Sequence, residues 1–330
     1  MVAHPSFAVP LFNSFRFGGR ILRNRFVMPA MTRRFSTRGV PGSDVGAYYK
    51  RRAEGGTGLI ITEGGYIDTE GPLSQPDVPV FFGEAALAAW REIVHAVHDA
   101  GAGIAPQIWH AHLKPDPDTG SIPPESVAQL LHTYVAAGAE IARAGFDGVE
   151  IQGGGKHTAD LFTTTGDGEP LVTAVVRSVR REVGDDFPII LRVSEWRRSD
   201  GRTPLAQSDA ELSALLRPCA DAGVSIFHLD TAAFDVLPYG GAFAGDRPLA
   251  SRVRELTGRP VIAVGGIAVA DPAVTLGNLE TLARAVEREE IDMLALGRAH
   301  LADPAWVEKF RTGRLAEARP YDESLRGTLH

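Results

Sequence analysis

Short runs of β-branched and aliphatic residues, each closed by glycine or a polar residue, recur along the 330-residue chain. They are RFVMP (25–29), GLIITEG (58–64), GIAPQIWH (103–110), GVEIQ (148–152), PIILRVS (188–194), SIFHLD (225–230), PVIAVGG (260–266) and MLALGR (293–298). Runs of this length and composition predict eight buried strands. Between them apolar residues recur at three- and four-residue spacing, as in EAALAAWREIVHAVHDAG (84–101) and ESVAQLLHTYVAAGAEIARAG (125–145), which predicts helices. Gly101, Gly145 and Gly223 stand where those helices should end in a glycine cap. Eight strand–helix units without a break in composition predict an α/β chain: one domain over 1–330, a (β/α)8 TIM barrel. Residues 12–24, FNSFRFGGRILRN, read as an N-terminal β-hairpin closing the bottom of that barrel. Chemistry is then expected at the carboxyl ends of the strands.

Composition narrows the class. A hydrophobic fraction of 44% supports a sizeable core, and no run approaches the roughly eighteen uninterrupted apolar residues of a membrane span. The N-terminal MVAHPSFAVPLFN has no charged segment leading into an apolar one, so the sequence predicts a cytoplasmic protein without membrane attachment. A net charge of −7 with scattered arginines argues against nucleic acid as a partner. The single cysteine, Cys219, excludes an intrachain disulfide and any multi-cysteine metal site, and its helical setting LLRPCADAG predicts a buried packing residue.

The last two strands carry the strongest chemical signal. Both run straight into glycine, at Gly265 and Gly266 and again at Gly297, with Arg298 beside it. Glycine after a parallel strand lets backbone N–H groups approach an anion, so the pair reads as a phosphate clamp, the bland alternative being ordinary tight turns. Strand one ends in Met28-Pro29-Ala30-Met31-Thr32-Arg33, strand three gives Gln107, Trp109 and His110, and strand five gives Arg192 and Ser194. Polar groups spread over separate strand ends suit a flat heterocycle whose edge alternates carbonyls and ring nitrogens.

At these residues the chain resembles the old yellow enzyme family of FMN-dependent oxidoreductases. The resemblance rests on NRFVMPAMTR (24–33), YYKRRAEGGTGLIITEG (48–64), QIWHA (107–111), AGFDGVEI (144–151), LRVS (191–194), PVIAVGGI (260–267) and LALGRAHLADP (294–304), in the family's order. It implies noncovalent FMN at the carboxyl face and NADPH or NADH as reductant of an activated alkene or for related redox chemistry on a specialised metabolite. It also implies Thr32 as a catalytic residue that hydrogen-bonds the flavin O4 side and tunes its potential, Gln107 on the pyrimidine edge, Pro29 and Ala30 lining the ring and Gly64 close against it. Arg192 would face N1 and O2, with Gly265, Gly266, Gly297 and Arg298 at the phosphate. A homodimer is a family-level expectation.

The pattern breaks on the substrate side. After strand four the family usually has a histidine, two small residues, a second histidine or asparagine, then glycine and tyrosine. The first pair grips a substrate carbonyl and the tyrosine supplies a proton. Here the residues are Gln152-Gly153-Gly154-Gly155-Lys156-His157. Gln152 keeps one amide donor, Gly155 has no side chain, and His157 stands as acid in the tyrosine position, with a reference pKa near 6.5 in place of about 10. Substrate contacts are expected from Gln152, His110, His112 and, in the loop at 231–246, Tyr239, with Phe234 as a further cover. His110 and His112 share one side of an extended segment, a spacing metallohydrolases also use, but no further ligand set accompanies them and no metal is assigned. Lys114 and Lys156 in active-face loops keep a Schiff-base lyase open. His95 and His98 read as solvent-facing. The alternatives are thus an FMN-binding protein without ene-reductase activity and a flavin-free phosphate-site barrel.

Overall fold

Every predicted apolar run forms a strand, and the eight close on one another. A computed structural model describes residues 5–67, 75–110, 123–154, 160–163, 168–196, 203–235, 247–268 and 272–330. A two-stranded antiparallel hairpin, β1 (Phe15–Phe17) and β2 (Arg20–Leu22), precedes the barrel. The barrel strands are β3 (Phe26–Met28), β4 (Leu59–Tyr66), β5 (Gly103–Trp109), β6 (Val149–Gln152), β7 (Ile189–Ser194), β8 (Ile226–Asp230), β9 (Val261–Val264) and β10 (Met293–Ala295). They pair in parallel in chain order, and β10 returns to β3. Parallel neighbours need long crossovers, which the helices between successive strands supply. These are α2 (Ser43–Glu54), α3 (Glu84–Asp99), α4 (Pro124–Arg143), α5 (Leu171–Val183), α6 (Asp209–Ala222), α7 (Leu249–Thr257) and α8 (Pro272–Glu287), after a short α1 (Val9–Phe12).

The helical period is visible in what is buried. On α3 the buried positions are Ala86, Leu87, Trp90, Ile93, Val94 and Val97, one stripe facing the strands. The expected glycine caps are present: Gly101, Gly145 and Gly223 all have positive φ, at 82°, 87° and 119°. Cys219 is buried within α6. His95 is exposed on α3, as expected. His98 is not: its Nε2 lies 2.8 Å from Asp147 Oδ2, at the amino end of the barrel. A helix-end histidine reads as exposed until the fold brings an acid from the loop before β6 beside it.

Alternate residues of each strand point into the barrel. Toward the amino end that interior is apolar, with Ile61, Ala105, Ile190, Ile226, Ile262 and Met293 packed on one another. Phe17 and Leu22 of the hairpin close it from below, and a Cβ at Gly148 would come within 2.8 Å of the Phe17 ring. One inward position further along β5 to β8, the interior turns polar: Gln107, Glu150, Arg192 and His228 are all buried there. The change from an oily floor to a polar layer positions the candidate site.

Candidate active site

The carboxyl ends of β3, β7, β8, β9 and β10 surround a cleft of about 400 Å³, within the range of small-molecule sites. Pro29, Ala30, Thr32, Arg192, Gly265, Gly266, Gly297 and Arg298, all singled out from the sequence, line it together. Arg33 and Arg326 add two more arginines, and no acidic residue lines it among the described residues. In a chain of net charge −7 this is a local cationic cleft, suited to an anion.

The glycines have different reasons for lacking a side chain. Gly265 has φ 130° and a Cβ there would lie 2.5 Å from Thr231 O, so the β9 turn itself demands glycine. Gly266, at φ 63°, is held by conformation alone, its nearest Cβ contact being 3.6 Å. Gly297 opens the short helix α9 (Gly297–Ala302) and a Cβ there would make only ordinary contacts, with Met31 Sδ at 3.5 Å. The protein interior does not exclude a side chain at 297, and one there would stand at the cleft that Gly297 lines. At Gly64 a Cβ would lie 2.6 Å from Gln107 Oε1 and 2.7 Å from Trp109 Nε1. Glycine at 64 therefore makes room for those two side chains.

Arg192 reaches the cleft from β7. Its Nη2 lies 3.3 Å from Asp230 Oδ1 and its Nη1 donates to Ala30 O at 3.5 Å. Its Nε is buried without a hydrogen-bond partner. Burial lowers its pKa and Glu150 opposes the effect; a guanidinium nonetheless stays charged across the working pH range. A buried cation with an unsatisfied donor beside an open cleft is an arrangement that a bound anion or polar edge completes. Gln107, on β5, is not among the residues that line this cleft; its Nε2 donates to Glu150 Oε1 at 2.7 Å and to Gln152 Oε1 at 3.0 Å. Both amide hydrogens are thereby engaged, and Gln107 offers an acceptor.

Gln152 is likewise held, its Oε1 accepting from Gln107 and its Nε2 donating to Gly154 O. One N–H remains for a ligand. His110 follows β5 and is half-buried. Phe234 packs on the core and its N–H donates to Gly265 O at 3.0 Å, fastening the β8 loop to the β9 turn. His112, His157, Tyr239, Lys114, Lys156 and Gly155 lie outside the described residues.

Two groups escaped the sequence reading. Glu150 and His228 form a fully buried pair, His228 Nδ1 lying 2.5 Å from Glu150 Oε2. Burial alone would raise the Glu150 carboxyl, but His228, Arg192 and the Gln107 donor hold it below the ordinary range. Burial also lowers the His228 pKa, Glu150 acting against it. The signal was available: in GVEIQ and SIFHLD a charged or titratable residue takes the inward position of an otherwise apolar strand. Glu63 is the second. It is buried on β4, accepts the backbone N–H groups of Arg33 and Arg34 on one oxygen at 2.8 and 3.0 Å, and leaves Oε1 unpartnered. Burial raises its pKa to about 7 despite those bonds. It fixes the segment after β3 that lines the cleft.

The sequence model of the NADH:flavin oxidoreductase / NADH oxidase family matches residues 10–121 and 171–317. The unmatched stretch between them holds β6 and the GGGKH segment where the strand-four pattern departs. Among curated relatives, an NADH oxidase of Thermoanaerobacter brockii is 26% identical over 94% of this chain and 52% of its own length. A 12-oxophytodienoate reductase-like protein of Solanum lycopersicum is 26% identical over 94% of this chain and 91% of its own. A metal reductase of Desulforamulus reducens is 27% identical over 94% and 50%. The chain thus spans about half the length of the NADH oxidase and the metal reductase. In three dimensions it resembles an old yellow enzyme homologue from Zymomonas mobilis, with TM-score 0.77 and 22% identity over 96% of both chains. The old yellow enzyme of Trypanosoma cruzi gives TM-score 0.76 and 21% identity over 98% of this chain and 96% of that one. Both share the barrel fold. Among the described residues no helix is long and apolar enough to cross a membrane, and no cluster of potential metal ligands occurs.

Proposed function

The chain belongs to the NADH:flavin oxidoreductase / NADH oxidase family, and we propose from that premise that it is an FMN-dependent oxidoreductase acting on a small molecule in the cytoplasm. Its reaction is NAD(P)H-driven reduction of an activated alkene, or related redox chemistry on a specialised metabolite. The observation that carries this reading is the buried, partly unsatisfied Arg192 facing a cationic cleft that ends in the Gly265–Gly266 turn. When bound, FMN supplies reversible two-electron transfer between NAD(P)H and an acceptor. The protein's residues do the rest. Arg192 places a permanent positive charge where the pyrimidine edge of the ring would gain negative charge. Gln107 would offer its Oε1 to a ring N–H, Pro29, Ala30 and Thr32 would line the ring, and Gly64, beside Gln107, would leave space for it. Gly265, Gly266, Gly297 and Arg298 hold the phosphate, Arg298 being exposed beside the cleft.

On the substrate side, Gln152 and His110 would position the acceptor with His112 and Tyr239, and His157 would hold the proton to be delivered. Apoprotein titrated with FMN, read by quenching of flavin fluorescence, tests the cofactor assignment. Arg192→Ala should weaken binding about tenfold or more, the worth of a hydrogen bond to a charged group. Equal affinities for the wild type and the variant would remove Arg192 from the site. A second reading, flavin binding without ene reduction, draws on the engagement of Gln152 by Gln107 and Gly154, which leaves a single amide hydrogen to polarise a carbonyl.

A further inference from the structure

Beneath the atoms assigned to the cofactor lies a buried acid that the assignment does not use. Glu150 is 0% exposed in the middle of β6. Apolar side chains at inward positions one step lower, Ala105, Ile190 and Ile226, pack without any such polar group. A buried carboxylate is unfavourable unless its oxygens are bonded, and here both are: Oε1 accepts from Gln107 at 2.7 Å and Oε2 from His228 at 2.5 Å. Packing alone does not call for a charge at this position.

The junction has two consequences for the layer above it. A carboxylate is acceptor-only, so Glu150 dictates which end of the Gln107 amide it meets and turns Oε1 toward Gly64 on β4. It also places a negative charge near Arg192, acting electrostatically on it from the neighbouring strand. His228 partly offsets that negative charge by donating from Nδ1, while its own Nε2 is buried and without a partner. How much of the Arg192 charge is expressed in the cleft therefore depends on Glu150 and on its donor.

We propose that Glu150 is a positioning residue of the FMN site which, with His228 as its donor, orients the Gln107 amide and sets the field that Arg192 presents to the flavin. The proposal rests on the FMN reading above and concerns the potential of the bound flavin, not its presence.

The test is the midpoint potential of FMN bound to the reconstituted holoprotein, measured anaerobically against indicator dyes, together with the FMN dissociation constant. Glu150→Gln keeps an acceptor for Gln107 and can donate to His228 in its other tautomer, so it removes charge while preserving the bonds. Its potential should shift positive, because the anionic reduced flavin no longer opposes a buried carboxylate. His228→Leu removes the donor and leaves the carboxylate less compensated, so its potential should shift negative. His228→Asn, whose amide nitrogen can stand where Nδ1 lies, should restore the wild-type value. Opposite signs with rescue are not produced by loosened packing. A flavin-loaded Glu150→Gln protein with an unmoved or more negative potential would overturn the proposal. If that variant does not fold, equal potentials for His228→Leu and wild type would do so. A wild type that binds no FMN would overturn the cofactor reading itself, a result distinct from loaded variants that share one potential.

Discussion

At the scale of single residues, the barrel mouth is controlled by a few buried charges. Glu63 has a pKa raised to about 7 from an ordinary 4.5, chiefly by burial. The folded state thus holds its proton more tightly than the unfolded chain does. Its contribution to stability is full below about pH 4.5 and is lost as pH rises through about 7. Glu63→Gln keeps an oxygen for the Arg33 and Arg34 N–H groups, so the variant should gain stability over wild type progressively between those limits. Melting temperatures of both proteins across that range check it, and parallel curves would contradict it. His157 is tested by turnover. His157→Phe should leave FMN bound and lower the rate by about a hundredfold, the lower end of general acid catalysis. An unchanged rate under conditions where chemistry limits turnover would remove the assignment. Arg192, Gln107 and Gln152 were legible in the sequence because polar residues at strand ends stand out. Glu150 and His228 stand out as inward polar residues of GVEIQ and SIFHLD, but their pairing was not legible, because the partner lies two strands away.

At the scale of elements, the eight strands and the hairpin were readable because short β-branched runs and glycine stops are local signals. Their ends were less so: MLALGR predicts a strand reaching Arg298, whereas β10 stops at Ala295 and Gly297 begins α9. The glycine turns now separate by physical cause. Gly265→Ala would push a Cβ against Thr231 O and force an L residue to φ 130°, so it should cost roughly 1–3 kcal/mol in chemical denaturation. Gly297→Ala meets only ordinary contacts, so its stability should stay within about 0.5 kcal/mol of wild type while its FMN affinity falls. Equal destabilisation of the two would contradict the distinction. The segment after β3 was legible as a motif but not as a scaffold, since Glu63 binds it through backbone N–H groups that any sequence possesses.

At the scale of the whole molecule, the C-terminal segment joins parts that the sequence keeps far apart. Arg33 donates to the carbonyls of Leu325 and Thr328, Arg51 to that of Leu329, and the buried Arg52 to those of His300 and His330. These bonds bring residues 325–330 back to the strand-one side of the barrel and place Arg326 on the cleft. Nothing in the sequence predicts such a closure, because carbonyls carry no residue-specific signal. The barrel therefore presents a cationic cleft at its carboxyl end, the site proposed for FMN, while the strand-four segment departs from the family pattern. One measurement addresses both halves: an anaerobic absorbance spectrum of the FMN-reconstituted protein, taken before and after NADPH or NADH and again after cyclohexenone. The flavin band should bleach with nicotinamide and return with the enone. Failure of the protein to take up FMN, or a bound flavin that neither nicotinamide reduces, would contradict that expectation.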